Sequence, residues 1–392
     1  MGDNAPYAFM RPASRHWVSI TTAVLCWWSA ASVVETPGDV VKKVVNTKWW
    51  PSGTEKAEES IGIISHGFVY MTAMMEMNAT FNATEAGIVS DVRDIAVAAG
   101  ADLPDLVDCF INAPRGKAGE IRTTFLRALP KNSRPALTIA EMPGEAPFIP
   151  TSASCVLALP ATGASSRREV RAGSRFGVAA RGLLHIEESH GRSGAPVAEQ
   201  VQGALAGVKE VLLEAGGHGL EELVDCTAVV VDVAHAPVVR AAFKEAQASP
   251  ALTIVQGGLE DSQSSVALRC VAALRPGAVK RVSGAVSAEG LVWASGILGR
   301  HSTGADAFTE LQTTLRSAGA EMADVINCMF FLKDGSKVLE LFEEFYKEFN
   351  KRNPPPPTRG EYVAASTCAD CQLQAKCIAA LHNPRHQEAI TV

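Results

Sequence analysis

Apolar and polar residues alternate most regularly in the last third of the chain. Phe308, Leu311 and Leu315 recur at the i, i+3, i+7 spacing of one helix face, which predicts an amphipathic helix. Gly319 follows, at a position where helices commonly end in a left-handed conformation. Other stretches of the same segment predict strands and a second helix: strands over 290–296 and 328–332, and a helix over 338–349.

The same order of features occurs three times along the chain. A helix that ends in Ala-Gly is followed by a short acidic linker and a cysteine that opens an apolar strand, and a second cysteine lies in the last strand of each copy. The cysteines of each pair are separated by 46, 44 and 49 residues. Shared order and similar spacing indicate three diverged copies of one unit. The pairs are Cys109 and Cys155, Cys226 and Cys270, and Cys328 and Cys377.

Each copy predicts the order strand-strand-helix-strand-helix-strand-strand, which is an α+β unit with helices over one face of a sheet. The other face of such a sheet needs a partner, and two sister sheets are available in the same chain. We therefore expect the three sheets to pack against one another. The predicted divisions are an N-terminal extension over 1–40 and units over 41–164, 165–277 and 278–392, the last with a short tail.

The composition is that of a globular protein, with 47% hydrophobic and 20% charged residues and a net charge of −6. No cluster of Lys and Arg lies on a predicted helix, so a nucleic-acid surface is not expected, because phosphate binding needs concentrated positive charge. The nine cysteines are scattered rather than arranged as a disulfide framework. Buried thiols are the favoured interpretation, and disulfide bonds within the pairs are the alternative in an oxidising compartment.

The N-terminus has a different pattern. Arg11, Arg15 and His16 precede an apolar run over 17–28, and small residues follow it. This layout is typical of a secretory signal, with an organellar presequence or a packed N-terminal helix as alternatives. The run is short for a membrane helix, so no stable span is expected. The localisation stays open: secreted or organellar if the segment is a signal, and cytoplasmic if it is not.

Three short motifs of the third copy resemble the RidA/YjgF family: Ser295-Gly296 after the second strand, Ala318-Gly319 closing the first helix, and Pro357-Thr-Arg359 opening the penultimate strand. The resemblance extends over roughly residues 41–382. It implies a chorismate-mutase-like fold and a trimer whose sheets line a central barrel, with ligand clefts between neighbouring subunits. For this chain it implies an intrachain pseudo-trimer with the helices outside, which acts as a monomer.

The resemblance also implies a chemistry. Active family members hydrolyse 2-imino acids to 2-keto acids and ammonia without a metal or cofactor, so no cofactor is expected, and the expected partner is a small carboxylate or imino acid. A guanidinium holds a carboxylate through two hydrogen bonds, and this role falls on Arg359. Arg359 lies 18 residues before Cys377. The residues 18 positions before Cys155 and Cys270 are Leu137 and Leu252, so the other copies are predicted to lack the arginine. Arg134 is a weaker candidate for a displaced substitute.

The family glutamate associated with the attacking water has no counterpart in any copy. Glu361 lies two residues after Arg359, hence on the same strand face, and Lys376 is expected on the neighbouring strand. We hypothesise that Arg359 holds the carboxylate while Glu361 orients water, in a cleft shaped by backbone groups of Ser295 and Gly296 with Lys376 nearby. The alternative is that Glu361 and Lys376 neutralise each other in a structural ion cluster beside Arg359. The residues at the glutamate position are Ser154, Arg269 and Lys376.

Two other groups of residues were candidates for metal or redox chemistry. Cys368 and Cys371 form a single CxxC, whereas a structural zinc site needs four ligands, so a surface turn is favoured over a metal site or a redox pair. His185 and His190 flank Glu187-Glu188, where the second copy should show Ser-Gly, and this favours a diverged loop. No metal site is predicted.

Two functions remain open from the sequence. The first is a RidA-like protein that binds a small carboxylate in one inter-unit cleft at Arg359 and hydrolyses 2-imino acids. The second is a catalytically inactive RidA-like protein that binds a small ligand or serves as a scaffold. The loss of the family glutamate weakens the first interpretation and leaves the question of enzymatic activity undecided.

Overall fold

The computed structural model describes residues 43–45, 60–74, 86–131, 133–142, 152–160, 167–301, 304–349, 353–363, 365–368 and 370–381. The predicted targeting segment, within residues 1–40, lies outside these ranges. Among the described residues, no helix combines the length and the apolar character needed to cross a membrane.

The described elements fall into three consecutive sets of six strands and two helices. Unit 1 contains β1 (Lys43–Val45), β2 (Gly62–Ser65), β3 (Phe68–Met74), α1 (Ala86–Ala98), β4 (Leu106–Ala113), α2 (Ala118–Ala128), β5 (Ala136–Glu141) and β6 (Ser152–Ala158). Unit 2 contains β7 (Arg167–Ala172), β8 (Arg175–Ala180), β9 (Leu183–His190), α3 (Val197–Glu214), β10 (Leu223–Val230), α4 (Ala236–Glu245), β11 (Ala251–Gln256) and β12 (Val266–Ala273). Unit 3 contains β13 (Lys280–Val282), β14 (Ala285–Ala288), β15 (Leu291–Gly299), α5 (Ala305–Ser317), β16 (Val325–Leu332), α6 (Val338–Tyr346), β17 (Thr358–Tyr362) and β18 (Leu373–Ala380).

The three sheets share one topology. From edge to edge their strand orders are β1-β2-β3-β6-β4-β5, β7-β8-β9-β12-β10-β11 and β13-β14-β15-β18-β16-β17. The last two strands of each order run parallel, which requires a crossover connection, and the second helix of the unit provides it. The predicted α+β class and its threefold repetition are therefore confirmed.

Each sheet has one strand more than the sequence pattern predicts. The additional strands are β1, β7 and β13, which form one edge of each sheet. β1 and β13 are three residues long, β13 is exposed along its whole length, and β7 is rich in arginine. Short or charged edge strands carry little apolar pattern, so the sequence does not reveal them as strands.

Each unit has its own apolar core between its sheet and its two helices. In unit 3 the predicted helix face is buried there: Phe308, Leu311 and Leu315 pack against Phe330 and neighbouring strand residues. The corresponding clusters of units 1 and 2 are built from the same elements. Burial of a side chain of this size stabilises the fold by roughly 1.5–3 kcal/mol.

Two further apolar clusters draw residues from all three units. One contains Phe68, Phe176 and Trp293, and the other contains Phe110 and Phe331 with residues of unit 2. These side chains lie on the sheet faces opposite the helices, so the three sheets enclose a common interior and the helices lie outside. The predicted intrachain pseudo-trimer with a central barrel is confirmed.

The cysteine pairs of the three copies form disulfide bonds, so the expectation of buried thiols is wrong. In each unit the two cysteines stand directly opposite each other on neighbouring antiparallel strands, with Cα atoms 4.2 Å apart. Opposed residues at such close positions can bridge, and the sequence spacing does not reveal this register. Cys368 and Cys371 are also bonded to each other.

Candidate functional site

The strand register identifies which residues correspond to Arg359 in the other units. Arg359 pairs with Met329 one residue after Cys328, and at the same place in the other sheets Thr138 pairs with Phe110 and Thr253 pairs with Thr227. The counterparts of Arg359 are therefore these two threonines, and the assignment to Leu137 and Leu252 is wrong. Unit 3 has one residue more between its arginine position and its last cysteine than units 1 and 2 have, so counting back from the cysteines is off by one residue there. Because the side chains of a strand alternate between its two faces, Leu137 and Leu252 face the helices instead.

Arg359 lies at the boundary between units 3 and 1. Arg359 is 3% exposed, and its guanidinium donates from Nη1 to the carbonyl of Phe110 and from Nη2 to the carbonyl of Ser152, both at 2.8 Å. Its Nε forms an ion pair with Glu361, which also accepts from the Ser152 hydroxyl at 3.3 Å. Burial lowers the pKa of Arg359 well below its usual value, and the Arg269 cation lowers it further. Arg359 is thus surrounded by protein acceptors.

Lys376 faces a different neighbour, unit 2. Its Nζ donates to Asp225 at 2.5 Å and to the Thr227 hydroxyl at 2.7 Å. The Ser295 hydroxyl donates to the other oxygen of Asp225 at 3.0 Å. Burial lowers the pKa of Lys376, although Asp225 opposes this shift. The predicted pairing of Lys376 with Glu361 is therefore wrong, since each residue is paired elsewhere.

Gly296 also contacts unit 2. Its φ of +73° is a conformation that side chains disfavour, and a Cβ there would lie 2.6 Å from the carbonyl oxygen of Leu252. The glycine allows β15 to approach β11 closely. Ser295, Gly296 and Lys376 thus meet unit 2, whereas Arg359 and Glu361 meet unit 1.

The predicted site residues are divided between two interfaces because β15 and β17 lie at different places in one sheet. We name each interface by the unit that provides the Ser-Gly position, followed by the unit that provides the arginine position. The register assigns these positions to Ser295 and Thr253 at the 3–2 interface, Glu187 and Thr138 at the 2–1 interface, and Thr72 and Arg359 at the 1–3 interface. Among the described residues, no interface combines Ser-Gly with the arginine.

An ion cluster occupies the 2–1 interface. Arg134 donates from Nη2 to both oxygens of Glu187, at 2.9 and 2.6 Å, and Arg122 contacts Glu187, Glu188 and Glu260. Burial raises the pKa of Glu187, while the two arginines act against this. Arg134 therefore binds a protein carboxylate here. The prediction of a diverged loop at Glu187-Glu188 is wrong, because both residues lie in β9, where they hold units 1 and 2 together.

A second set of inter-unit contacts lies on the strands that carry the cysteines. Arg269, at the family glutamate position of unit 2, forms an ion pair with Asp108 of unit 1, which His185 also contacts at 3.2 Å. Burial alone would raise the pKa of Asp108, but Arg269 and His185 lower it to about 2. Lys376 and Asp225 repeat this arrangement at the 3–2 interface. The sequence signal was a basic residue at the glutamate position together with aspartate before the first cysteine.

The described residues also line a cavity of about 230 Å³ in unit 2. Its walls include Arg175, Phe176, Glu187, Ser189 and His190, and Arg359 is not among them. Within the described part of the chain, no group of three or more His, Cys, Asp or Glu residues is arranged to hold a metal ion.

No family model matches the sequence, and no curated protein matches it. Solved structures do match it. A YjgF-family protein from Neisseria meningitidis is 21% identical and covers 28% of this chain and 95% of its own, with a TM-score of 0.26. A YjgF/YER057c/UK114-family protein from Mycobacterium tuberculosis is 25% identical and covers 25% of this chain and 85% of its own, with a TM-score of 0.23.

A chorismatase extends the likeness over most of the molecule. It is 10% identical, covers 80% of this chain and 98% of its own, and has a TM-score of 0.50, which concerns the fold alone. The other matching structures are mostly YjgF/RidA proteins, each covering about 28% of the chain, so the predicted resemblance is confirmed.

Proposed function

We propose that this protein binds a small polar molecule, such as a carboxylate, at the 3–2 interface and does not hydrolyse 2-imino acids. The proposal selects the catalytically inactive alternative from the two functions that the sequence left open. The main support is that Arg359 already forms hydrogen bonds and an ion pair with groups of the protein itself.

The state of Arg359 argues against hydrolysis. An arginine that holds a substrate carboxylate needs two N–H groups directed at the ligand. Both terminal nitrogens of Arg359 instead donate to backbone carbonyls, and Nε is paired with Glu361. A ligand that took over the N–H groups now bonded to the protein would leave buried acceptors without donors, which costs about 1–3 kcal/mol for each group.

The 3–2 interface is the better candidate for binding. It retains Ser295 and Gly296, and the side-chain nitrogen of Gln374 lies near Gly296, 3.8 Å from where a Cβ would be. Among the described residues, the Gln374 nitrogen and the Thr253 hydroxyl are buried without a hydrogen-bond partner. The Thr138 hydroxyl at the corresponding position of the 2–1 interface is in the same state, but that interface also contains the Glu187 ion cluster and lacks the Gly296 position. Buried polar groups are generally hydrogen-bonded, so a small polar ligand or water at these groups would satisfy them.

A keto-acid release assay tests the hydrolytic part. An amino-acid oxidase generates a 2-imino acid, and the rate of 2-keto acid formation is compared with and without the protein. We expect equal rates. Acceleration by the wild-type protein that disappears in a folded Arg359→Lys variant would show that Arg359 holds substrate after all.

A binding assay tests the site, with pyruvate as the carboxylate probe and titration calorimetry as the readout. Thr253→Val removes the hydroxyl at nearly constant volume, and Thr138→Val makes the same change at the corresponding position of the ion-filled 2–1 interface. We expect Thr253→Val to weaken binding at least about tenfold, as for loss of a buried hydrogen bond, and Thr138→Val to leave it unchanged. Absence of binding to the wild type, or equal effects of both changes, would refute the assignment.

A further inference from the structure

The four disulfides among the described residues belong to two classes. Three join neighbouring strands in the cores beneath the helices, and their six cysteines are at most 1% exposed. The fourth joins Cys368 to Cys371 in the loop between β17 and β18. Cys368 is only half-buried, while Cys371 is 1% exposed. Cys368 is therefore the more exposed residue of this bond, and Cys371 is enclosed.

The loop that carries this bond is attached at both ends. At its start, Val363 donates its backbone N–H to the carbonyl of Leu332 at 2.8 Å, and at its end Gln372 donates to the carbonyl of Gly299 at 2.8 Å. Between them the Cys371 amide donates to the Cys368 carbonyl at 3.2 Å. Because β16 holds the start of the loop and β15 holds its end, the bond can open without detaching β17 or β18 from the sheet.

We propose that Cys368 and Cys371 form a redox-active site that exchanges with thiols, while the three core disulfides do not. An incoming thiolate attacks Sγ of Cys368, the Cys368–Cys371 bond breaks, and the Cys371 sulfur leaves as a thiolate that takes up a proton. A second thiol attacks the resulting mixed disulfide, releases Cys368 as a thiol and leaves as the oxidised disulfide. Two thiols thus supply the two electrons that reduce the bond.

The burial of the two sulfurs fixes the direction of attack. Cys368 is half-buried and is the partner that a thiol meets first from solvent, whereas Cys371 is only 1% exposed. In the core pairs neither sulfur is accessible, so exchange there requires the unit to open, and opening has a free energy close to that of global unfolding. The rate of exchange should therefore differ greatly between the two classes.

Thiol mapping of the full-length chain tests this proposal. The chain carries Cys26→Ser, so that only the eight cysteines of the four described disulfides are present to react. It is purified without reductant, incubated with graded concentrations of reduced glutathione, quenched with an alkylating agent and digested for mass spectrometry. We expect Cys368 and Cys371 to be alkylated at glutathione concentrations at least tenfold below those that open the core pairs. Simultaneous opening of all four bonds, or free Cys368 and Cys371 before glutathione is added, would overturn the proposal.

Two single variants test the direction of attack. Cys371→Ser leaves Cys368 as a half-buried thiol, and we expect it to form a mixed disulfide with oxidised glutathione rapidly. Cys368→Ser leaves the enclosed Cys371, and we expect its reaction to be at least tenfold slower. Equal rates in the two folded variants would contradict the assignment of Cys368 as the entry point.

Discussion

A guanidinium is stable in a protein interior only where acceptors surround it, and Arg359 meets this condition through unit 1. Its acceptors at Phe110 and Ser152 come from strands more than two hundred residues away in sequence. A short motif can locate such an arginine on a strand. It cannot specify which distant carbonyl groups the folded chain brings to it, and so the role of Arg359 could not be predicted.

We predict that Arg359→Ala lowers the free energy of unfolding by roughly 3–5 kcal/mol, because Glu361 would remain buried without its partner. Denaturant unfolding followed by circular dichroism measures the change. The double variant Arg359→Met with Glu361→Gln removes both charges and should lose less stability than Arg359→Ala alone. A loss below about 1 kcal/mol for Arg359→Ala would mean that the arginine does not fasten the interface.

We predict that Asp108 makes the free energy of unfolding depend on pH in the acid range. Its pKa is lowered from 3.8 to about 2 in the folded protein, so its ionised form stabilises the fold above the unfolded pKa. That contribution, roughly 2 kcal/mol, is lost as the pH falls from about 4 to about 2. Unfolding free energies measured between pH 5 and pH 2 should fall less steeply for Asp108→Asn than for the wild type. Parallel curves would contradict the assignment.

At the scale of elements, the sequence predicted what local periodicity determines. The helix predicted over 308–319 corresponds to α5, and the second helix corresponds to α6, although it ends three residues earlier. The register of the strands was harder to predict from the sequence. Counting from the cysteines was wrong by one residue at the arginine position, and one residue exchanges the barrel face of a strand for its helix face.

Alanine substitutions at two glycines distinguish the cost of a steric clash from the cost of a positive φ. Gly296 and Gly319 both have positive φ, but a Cβ at Gly296 would collide with the Leu252 carbonyl, whereas at Gly319 the nearest atom is 3.8 Å away. We expect Gly319→Ala to cost about 1 kcal/mol and Gly296→Ala roughly 2–4 kcal/mol, measured by denaturant unfolding. Equal costs would show that β15 does not approach β11 as described.

For the whole molecule, the threefold repetition was readable because the cysteine spacing survives in all three copies. The inequality of the three interfaces was not readable, because it depends on which side chains meet across units. A chain that contains all three units can differ at each interface, and here one carries Arg359, one the Glu187 cluster and one the Ser295-Gly296 pair. A symmetric trimer of identical subunits would repeat one interface three times.

The central claim is that one chain closes its own barrel, and its mass in solution tests this most directly. Analytical ultracentrifugation over a wide range of protein concentrations is the measurement. We predict a single species with the mass of one chain and no dependence on concentration. Assembly into a species of three chains that dissociates on dilution would contradict the account, because the barrel would then be built between chains.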